Sequence, residues 1–272
     1  MIKSKNEKVI LAQPWGGLGD NLQFSNLPEL YNKQGKYFYL SYFNRTRNKE
    51  IHNFCWEQNE FYSGKILSKP NIGWKIWVDS LEKNNHRKDI NIIQKQNLSH
   101  GFEEGEGYPL FTVDNKLQMN KIEHKYLADF NAITSIPSET GWNQIHEYVN
   151  KTDLTILSFP GVQNLTNAPN LIQQNKQKLD VTSINNLLET LSKTDTFICL
   201  NSGSQTLAAG LKNIIGRPNN IISFVPGAKD VSSPDGRFMF ANVEYKILDG
   251  LPGKVFRDFK QEIYEKLYLK YF

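Results

Sequence analysis

The segment KVILAQPWGGLGDNLQ, residues 8–23, contains the pattern that is most informative about the fold. Its first part, Lys8–Ala12, is a short apolar run of the kind that forms a buried strand. A glycine-rich turn follows at Gly16–Asp20, and Asn21–Asn32 then has apolar residues near helical spacing. Tyr37–Phe43 is aromatic and typical of a second strand. Strand, glycine loop, helix and strand in this order predict a βαβ unit with a parallel sheet.

A second pattern of the same design begins near Asp153. Its predicted strands are Leu154–Phe159, Thr196–Leu200 and Asn220–Val225, and its predicted helices are Val181–Ser192 (capped by Thr182 or Ser183) and Gln205–Leu211. Another helix is predicted ahead of this pattern, at Trp142–Lys151. The remaining predictions are helices at Trp74–Leu81, Lys121–Ala132 and Lys254–Tyr271, a strand at Asp89–Gln94, and loop or weak helix at Gln163–Gln177.

This repetition of design predicts an α/β protein with two sheet domains facing a cleft. The boundary is expected near residues 133–152. We therefore predict an N-terminal domain at 1–140, a C-terminal domain at 150–253, and a C-terminal helix at 254–272 that packs back on the N-terminal domain.

Composition narrows the class of function. The 272 residues carry a net charge of +4 without a basic stripe, which argues against a dedicated nucleic-acid binder. The mean hydropathy is −0.52, and no apolar run approaches the roughly 20 residues of a membrane span. Cys55 and Cys199 form no CxxC pair and the five His show no ligand spacing, so no metal site is predicted. With no secretory signal, these features favour a cytoplasmic protein.

The first loop that could carry chemistry is Gly16–Asp20. A dinucleotide fingerprint needs a third glycine, which is absent here, and Arg45 rather than an acid follows the next strand. Arg45 would suit the 2′-phosphate of NADP, so an NADP-dependent oxidoreductase remains an alternative. Asp20 fits a capping box as N-cap with Gln23 three residues later. It also fits a catalytic carboxylate, and the two roles are compatible.

The second loop is Asn201–Ser204, which follows a buried strand and opens a helix of small residues. Its backbone N–H groups and hydroxyls would suit a diphosphate at the carboxyl edge of a sheet. The alternative is an ordinary strand-to-helix turn capped by Ser202 or Ser204.

Together the two loops resemble those of the lipopolysaccharide heptosyltransferase family of glycosyltransferases. The segment GGLGDNLQFSNLPEL (residues 16–30) is similar to that family's N-terminal motif, and NSGSQTLAAGL (201–211) is similar to its C-terminal loop. The resemblance implies two Rossmann-like domains of GT-B type, in a compact version. It implies inverting transfer of a sugar from a nucleoside-diphosphate sugar to a hydroxyl acceptor, without an obligatory cofactor or metal.

The resemblance also implies roles for particular residues. Asp20 matches the general base, and the acceptor-side loop comprises Gly17, Gly19 and Asn21. The donor-binding residues implied are Asn201, Ser202, Gly203, Ser204 and Gln205, to which Arg217 could add positive charge. A carboxylate at a helix N-terminus is expected to have a lowered pKa. The partners implied are a nucleotide sugar and a glycan acceptor, with the protein peripheral at a membrane if that acceptor is lipid-linked.

Two departures from the family pattern leave the donor sugar open. The family often has Asp where this chain has Asn201, and His where it has Thr206. A non-catalytic nucleotide- or glycan-binding protein of the same fold is therefore the main alternative to an enzyme.

Overall fold

The structure is a computed structural model, and the residues it describes form two compact units. The N-terminal unit runs to Thr112 and the C-terminal unit begins at Val113. The described residues are 7–73, 89–119, 121–131, 136–150, 152–162, 168–174, 176–226 and 239–249. No helix among these residues is long and apolar enough to cross a membrane.

The N-terminal unit holds a four-stranded parallel sheet in the order β3-β2-β1-β4. Its elements in chain order are β1 (Lys8–Ala12), α1 (Leu18–Leu22), α2 (Leu27–Lys33), β2 (Tyr37–Ser41), α3 (Lys49–His52), a π-helical turn (Asn53–Glu57), β3 (Tyr62–Ile66), β4 (Ile72–Gly73) and α4 (Ile92–Ser99).

The C-terminal unit holds a six-stranded parallel sheet in the order β10-β9-β8-β5-β6-β7. Its elements are a 3₁₀ turn (Asn115–Met119), β5 (His124–Asp129), α5 (Glu139–Val149), β6 (Thr155–Ser158), α6 (Asn170–Gln173), β7 (Gln177–Asp180), α7 (Ile184–Ser192), β8 (Thr194–Leu200), α8 (Gly203–Ile215), β9 (Asn220–Pro226) and β10 (Glu244–Leu248). The predicted α/β architecture with two parallel sheets is confirmed.

The helix predicted at Asn21–Asn32 is in fact two short helices, α1 and α2. Pro28 lies in the first turn of α2 and has no N–H to continue a helix from α1. The backbone N–H and the hydroxyl of Ser25 both donate to the Leu22 carbonyl, at 3.2 and 2.8 Å, and hold the turn at the break. The chain therefore turns directly after the glycine loop.

The prediction of a helix at Lys121–Ala132 is wrong, because this segment contains strand β5. β5 lies in the middle of the sheet, paired with β8 on one side and β6 on the other. Leu127, Ala128 and Asp129 in succession are all buried, as in a parallel strand covered on both faces. Periodicity does not separate such a run from a helix, since both faces are apolar.

The predicted strand at Asp89–Gln94 is also wrong, because helix α4 begins there. Asn91 accepts hydrogen bonds from the N–H groups of Ile93 and Gln94, at 3.0 and 3.2 Å. The Gln94 side chain accepts from the Asn91 N–H at 3.0 Å, which completes a capping box. Local capping therefore overrides the apolar pair that suggested a strand.

The division between the units comes earlier than the predicted boundary at residues 133–152. Residues 113–131 belong to the C-terminal unit, because β5 pairs with β6 and β8 of that unit's sheet. Among the capping residues, Ser183 accepts from the Asn186 N–H at 3.0 Å and caps α7. The helices predicted at Trp74–Leu81 and Lys254–Tyr271 lie outside the described residues.

Candidate functional site

Each sheet has a point where the strand order reverses, and ligands of doubly wound folds bind at such points, outside the carboxyl ends of the strands. In the C-terminal unit the reversal lies between β5 and β8. β5 ends at Asp129, which is paired in register with Cys199, and β8 leads into Asn201–Ser204. In the N-terminal unit the order reverses beside β1, whose carboxyl end leads into the glycine loop.

In the glycine loop, Asp20 lies within the first turn of α1 and not at the N-cap position predicted for it. Gly17 is the N-cap of α1, and Asp20 is the third residue of the first turn. The Gly17 N–H donates to Oδ2 of Asp20 at 2.9 Å. The capping box with Asp20 as N-cap is therefore wrong; Gln23 instead follows the last residue of α1. One carboxylate oxygen of Asp20 holds the turn.

Gly16 and Gly17 allow two close approaches in this loop. A Cβ on Gly16 would lie 2.8 Å from the backbone nitrogen of Arg47, whose N–H donates to the Gly16 carbonyl at 2.8 Å. A Cβ on Gly17 would lie 2.7 Å from Oδ2 of Asp20. Gly16 thus lets the chain after β2 dock on the loop, and Gly17 leaves room for the carboxylate.

The fully buried side chain of Asn21 holds the glycine loop in place from the core side. Its Nδ2 donates to the Gly17 carbonyl at 2.9 Å. Its Oδ1 accepts from the indole Nε1 of Trp56 at 3.0 Å and from Nε2 of Gln13 at 3.5 Å. Trp56 itself stacks on Phe38, with ring centroids 6.0 Å apart. The core therefore supports Gly17, and Gly17 in turn orients Asp20.

The remaining residue of the predicted acceptor-side loop is Gly19, which lies inside α1. Its carbonyl accepts from the Gln23 N–H at 3.2 Å, so it contributes to the helix itself. The structure brings Gly17, Asp20 and Asn21 together through direct hydrogen bonds, whereas Gly19 takes part through the backbone.

Burial raises the pKa of the Asp20 carboxyl above its ordinary value. The Gly17 N–H and the positive charges of Arg47 and Arg45 act in the opposite direction, but removal from water outweighs them. The expected lowering of this pKa is therefore wrong. A five-residue helix supplies little dipole to favour the carboxylate, and the desolvation is larger.

The loop after β8 is built differently from an ordinary helix cap. Ser202 is the N-cap of α8, but its side chain makes no capping hydrogen bond. Its hydroxyl oxygen instead lies 2.8 Å from that of Ser204. The Ser204 hydroxyl contacts Oδ2 of Asp129 at 2.5 Å. A chain of three polar groups therefore runs from the end of β5 to the first residues of α8.

Asp129 is a site residue that the sequence analysis missed. It is 3% exposed, and its Oδ1 accepts from the backbone N–H and the side-chain Nδ2 of Asn131, at 3.0 and 2.9 Å. Burial raises the pKa of the carboxyl, while the bonds from Ser204 and Asn131 act to lower it. The signal was a lone acid at the end of the apolar run YLADF, residues 126–130, which the helix prediction concealed.

The other predicted donor-binding residues fall into two groups. Asn201 and Gly203 are partly exposed beside Ser202 at the carboxyl edge. Gln205 is fully buried, and its Nε2 donates to the hydroxyl of Tyr245 at 2.7 Å.

Arg217 lies elsewhere. It donates to the side chain of Asn219 at 2.9 Å, and Asn219 donates to Asp195 at the start of β8 at 2.6 Å. Seven residues of strand separate that edge from Asn201, roughly 20 Å, so Arg217 is not part of the loop.

A cavity of about 120 Å³ lies at the carboxyl ends of β5 and β6, next to the group formed by Asp129 and its hydrogen-bond partners Asn131 and Ser204. It shares Asn131 with that group and includes the amine-bearing side chain of Lys178 in its lining. The other lining residues are Phe130, Ile156, Leu157, Ser158, Ala168 and Gln173. Within the described ranges, no cluster of His, Cys, Asp and Glu could hold a metal ion.

No protein-family model matches the chain, and no curated protein matches it by sequence. Solved structures do match. The iron-containing dodecameric glycosyltransferase TibC of enterotoxigenic E. coli H10407 is 13% identical, with a TM-score of 0.58 over 94% of this chain and 69% of TibC. A structure of TibC with ADP-D-β-D-heptose is 14% identical, with a TM-score of 0.57 over 90% of this chain and 63% of that one.

A third match is the family 9 glycosyl transferase of Veillonella parvula DSM 2008. It is 8% identical, with a TM-score of 0.52 over 97% of this chain and 95% of its own. At such low identities these matches show shared architecture, in agreement with the two parallel sheets described above. The chain therefore has the two-unit Rossmann-like fold of GT-B glycosyltransferases.

Proposed function

We propose that this protein is a glycosyltransferase that moves a sugar from a nucleoside-diphosphate sugar to a hydroxyl acceptor, with Asp20 as the general base. The observation that carries the proposal is the Asp20 carboxyl itself. It lies at the carboxyl end of the first strand, one oxygen is fixed by Gly17, and burial raises its pKa. A carboxylate with a raised pKa accepts a proton more readily than an ordinary one.

In the proposed reaction, Asp20 takes the proton of the acceptor hydroxyl as its oxygen bonds to the anomeric carbon of the sugar. The bond from that carbon to the diphosphate breaks, and the nucleoside diphosphate leaves with the electron pair. Attack from the side opposite the leaving group inverts the anomeric configuration. Arg45 and Arg47 place positive charge near Asp20, which favours its ionised form before the transfer.

The loop after β8 is the proposed donor site. The N-terminus of the 13-residue helix α8 directs backbone N–H groups and a partial positive charge toward the carboxyl edge of the sheet. Ser202 leaves these N–H groups uncapped by its side chain, as suits an anionic ligand. Asn201 and Gly203 adjoin it with partly exposed surface. This charge compensation would stabilise the departing diphosphate.

ADP-linked sugars are the first donors to test, because TibC, with a similar fold, has been solved with ADP-D-β-D-heptose. We propose a glycan as the acceptor and no obligatory cofactor. The binding test is isothermal titration of the protein with ADP, GDP, UDP and CDP, followed by the matching nucleotide sugars. We expect one nucleoside diphosphate to bind and to raise the melting temperature, because a ligand at 100 times its Kd adds about 2.7 kcal/mol to the free energy of unfolding.

Two variants locate the binding. Ser202→Ala is expected to weaken nucleotide binding about tenfold to hundredfold, since the variant loses one hydrogen bond to a charged group. Asp20→Asn is the comparison variant, and its nucleotide affinity should equal that of the wild type, because Asp20 serves the acceptor. If none of the four nucleotides binds, the donor proposal fails. Binding of NADPH in their place would support an oxidoreductase.

A further inference from the structure

Asp129, Ser204 and Ser202 form an unbroken chain of hydrogen bonds that leads to the N-terminus of α8. Each of the three groups can direct a proton either toward that N-terminus or away from it. Asp129 Oδ2 contacts the Ser204 hydroxyl oxygen at 2.5 Å, and that oxygen lies 2.8 Å from the hydroxyl oxygen of Ser202. Asp129 and Ser204 are both buried, whereas Ser202 is partly exposed. Only the last member of the chain is therefore positioned to meet a ligand.

The direction of this chain depends on whether Asp129 is ionised. An ionised carboxylate only accepts, so Ser204 must donate to it, and Ser202 must then donate to Ser204. In that state Ser202 offers only lone pairs outward. If Oδ2 carries a proton, it donates to Ser204, Ser204 donates to Ser202, and Ser202 donates outward. The first state repels a phosphate oxygen and the second binds it.

The surroundings of Asp129 direct the proton to Oδ2. Oδ1 already accepts from the backbone N–H and the side-chain amide of Asn131, at 3.0 and 2.9 Å. Asn131 is itself held, because its Nδ2 also donates to the Leu157 carbonyl at 3.1 Å. Oδ1 therefore remains an acceptor in both states, and Oδ2 is the oxygen that faces Ser204.

Burial and the hydrogen bonds from Ser204 and Asn131 set the pKa of Asp129. The titratable group that faces Asp129 is the thiol of Cys199, its register partner on β8. Burial and the negative charge of Asp129 raise the pKa of that thiol well above its ordinary value. Cys199 thus stays protonated and neutral. Burial also raises the pKa of Asp129, which brings the protonated state closer to neutral pH.

We propose that Asp129 is a positioning residue that controls the donor loop through a proton: binding of a diphosphate at the start of α8 takes up one proton at Asp129 Oδ2 and reverses the hydroxyls of Ser204 and Ser202. The inference rests on the proposed donor site and adds its regulation by pH. The uptake balances, because one proton from solution binds Oδ2 and each hydroxyl keeps its own proton while turning it outward.

The test is isothermal titration with ADP, or with whichever of GDP, UDP and CDP binds more tightly, between pH 5 and 8.5. Each pH is measured in two buffers of different ionisation enthalpy, which counts the protons taken up. Above the pKa of Asp129, wild-type Kd should rise about tenfold per pH unit, with up to one proton bound per nucleotide. Protonation of the nucleotide itself is common to every variant and is subtracted by comparison.

Asp129→Asn should do the opposite of what damage to the site would do. Its amide nitrogen can donate to Ser204 at every pH, so the chain points outward permanently. We expect this variant to bind nucleotide at pH 8.5 at least tenfold more tightly than the wild type, and without the extra proton. Asp180→Asn, at the end of β7 and exposed, is the matched control and should behave as the wild type.

Ser204→Ala breaks the chain while leaving Asp129 in place. It frees the Ser202 hydroxyl to donate outward at every pH, so this variant should lose the extra proton and bind nucleotide at pH 8.5 more tightly than the wild type, which keeps the test available if Asp129→Asn does not fold. The inference is overturned if the wild type and Asp129→Asn show the same proton count, or if Asp129→Asn is weaker at every pH. If the wild type binds none of the nucleotides, the donor site itself is wrong, and the two failures are thereby distinguished.

Discussion

Asp20→Asn is expected to lower kcat by about 10²–10⁴-fold, the usual contribution of a general base, in assays with both donor and acceptor. The asparagine oxygen can still accept the hydrogen bond from the Gly17 N–H, which spans 2.9 Å in the wild type. The loop should therefore keep its conformation. What the variant loses is the capacity to take up a proton. Release of nucleoside diphosphate in the presence of acceptor measures the effect.

The pH dependence distinguishes this loss from misfolding. Asp20 must be ionised to act as a base, so wild-type kcat/KM should fall as the pH drops through its pKa, which burial places above the ordinary 3.8. Because the folded pKa is raised, the stabilising contribution of this group is present at low pH and is lost as the pH rises through that pKa. Asp20→Asn should therefore be at least as stable as the wild type at neutral pH, despite its lower kcat.

The matched control is Glu29→Gln, an acid-to-amide change in the first turn of α2. Glu29 pairs with Lys33 at 2.7 Å on the surface, and such exposed pairs contribute little. This variant should keep wild-type kcat and melting temperature. A folded Asp20→Asn protein that turns over as fast as Glu29→Gln would remove Asp20 from the mechanism.

Gly16→Ala and Gly17→Ala are neighbouring changes with opposite expected effects. A methyl group on Gly17 would meet Oδ2 of Asp20 at 2.7 Å and displace the carboxylate, so kcat should fall up to about 10²-fold with a modest loss of stability. A methyl group on Gly16 would meet the Arg47 backbone nitrogen at 2.8 Å. Backbone cannot swing aside, so Gly16→Ala should destabilise the protein by about 1–3 kcal/mol.

Kinetics and urea unfolding of both variants measure the two effects. Gly35→Ala is the control, because its Cβ would meet nothing within 4 Å and only its left-handed backbone (φ +78°) opposes alanine. Its cost should be about 1–2 kcal/mol with kcat unchanged. Wild-type kcat in a natively folded Gly17→Ala protein would show that Asp20 does not need its present position.

The glycine loop shows what the sequence could predict and where it stopped. The apolar run and turn located Asp20 at the end of β1, since such runs are local signals. The cap was placed wrongly, because Asp20 with Gln23 and Gly17 with Asp20 have the same spacing. The choice between them depends on Arg47 and its neighbours docking on Gly16, a contact across 31 residues of chain.

Asp129 and Arg217 show the same limit in the C-terminal unit. Asp129 meets Ser204 across 75 residues, and only the pairing of β5 with β8 brings them together. The end of its strand, Leu127–Asp129, is buried on both faces, so no periodicity marked Asp129. Arg217 follows α8 closely in sequence, but the helix carries it to the opposite edge of the sheet. For both residues, the distance along the sequence was therefore a poor guide to the distance in space.

Sugar transfer by this protein can be tested in a single assay. The wild-type protein is incubated with ADP-D-β-D-heptose and with ADP-, UDP-, GDP- and CDP-linked hexoses, each with and without a panel of glycan acceptors. The masses of the products are measured by mass spectrometry. We predict that one acceptor gains the mass of a single sugar as an equal amount of nucleoside diphosphate appears. A protein that binds the nucleotide but leaves every donor and acceptor unchanged would contradict the claim.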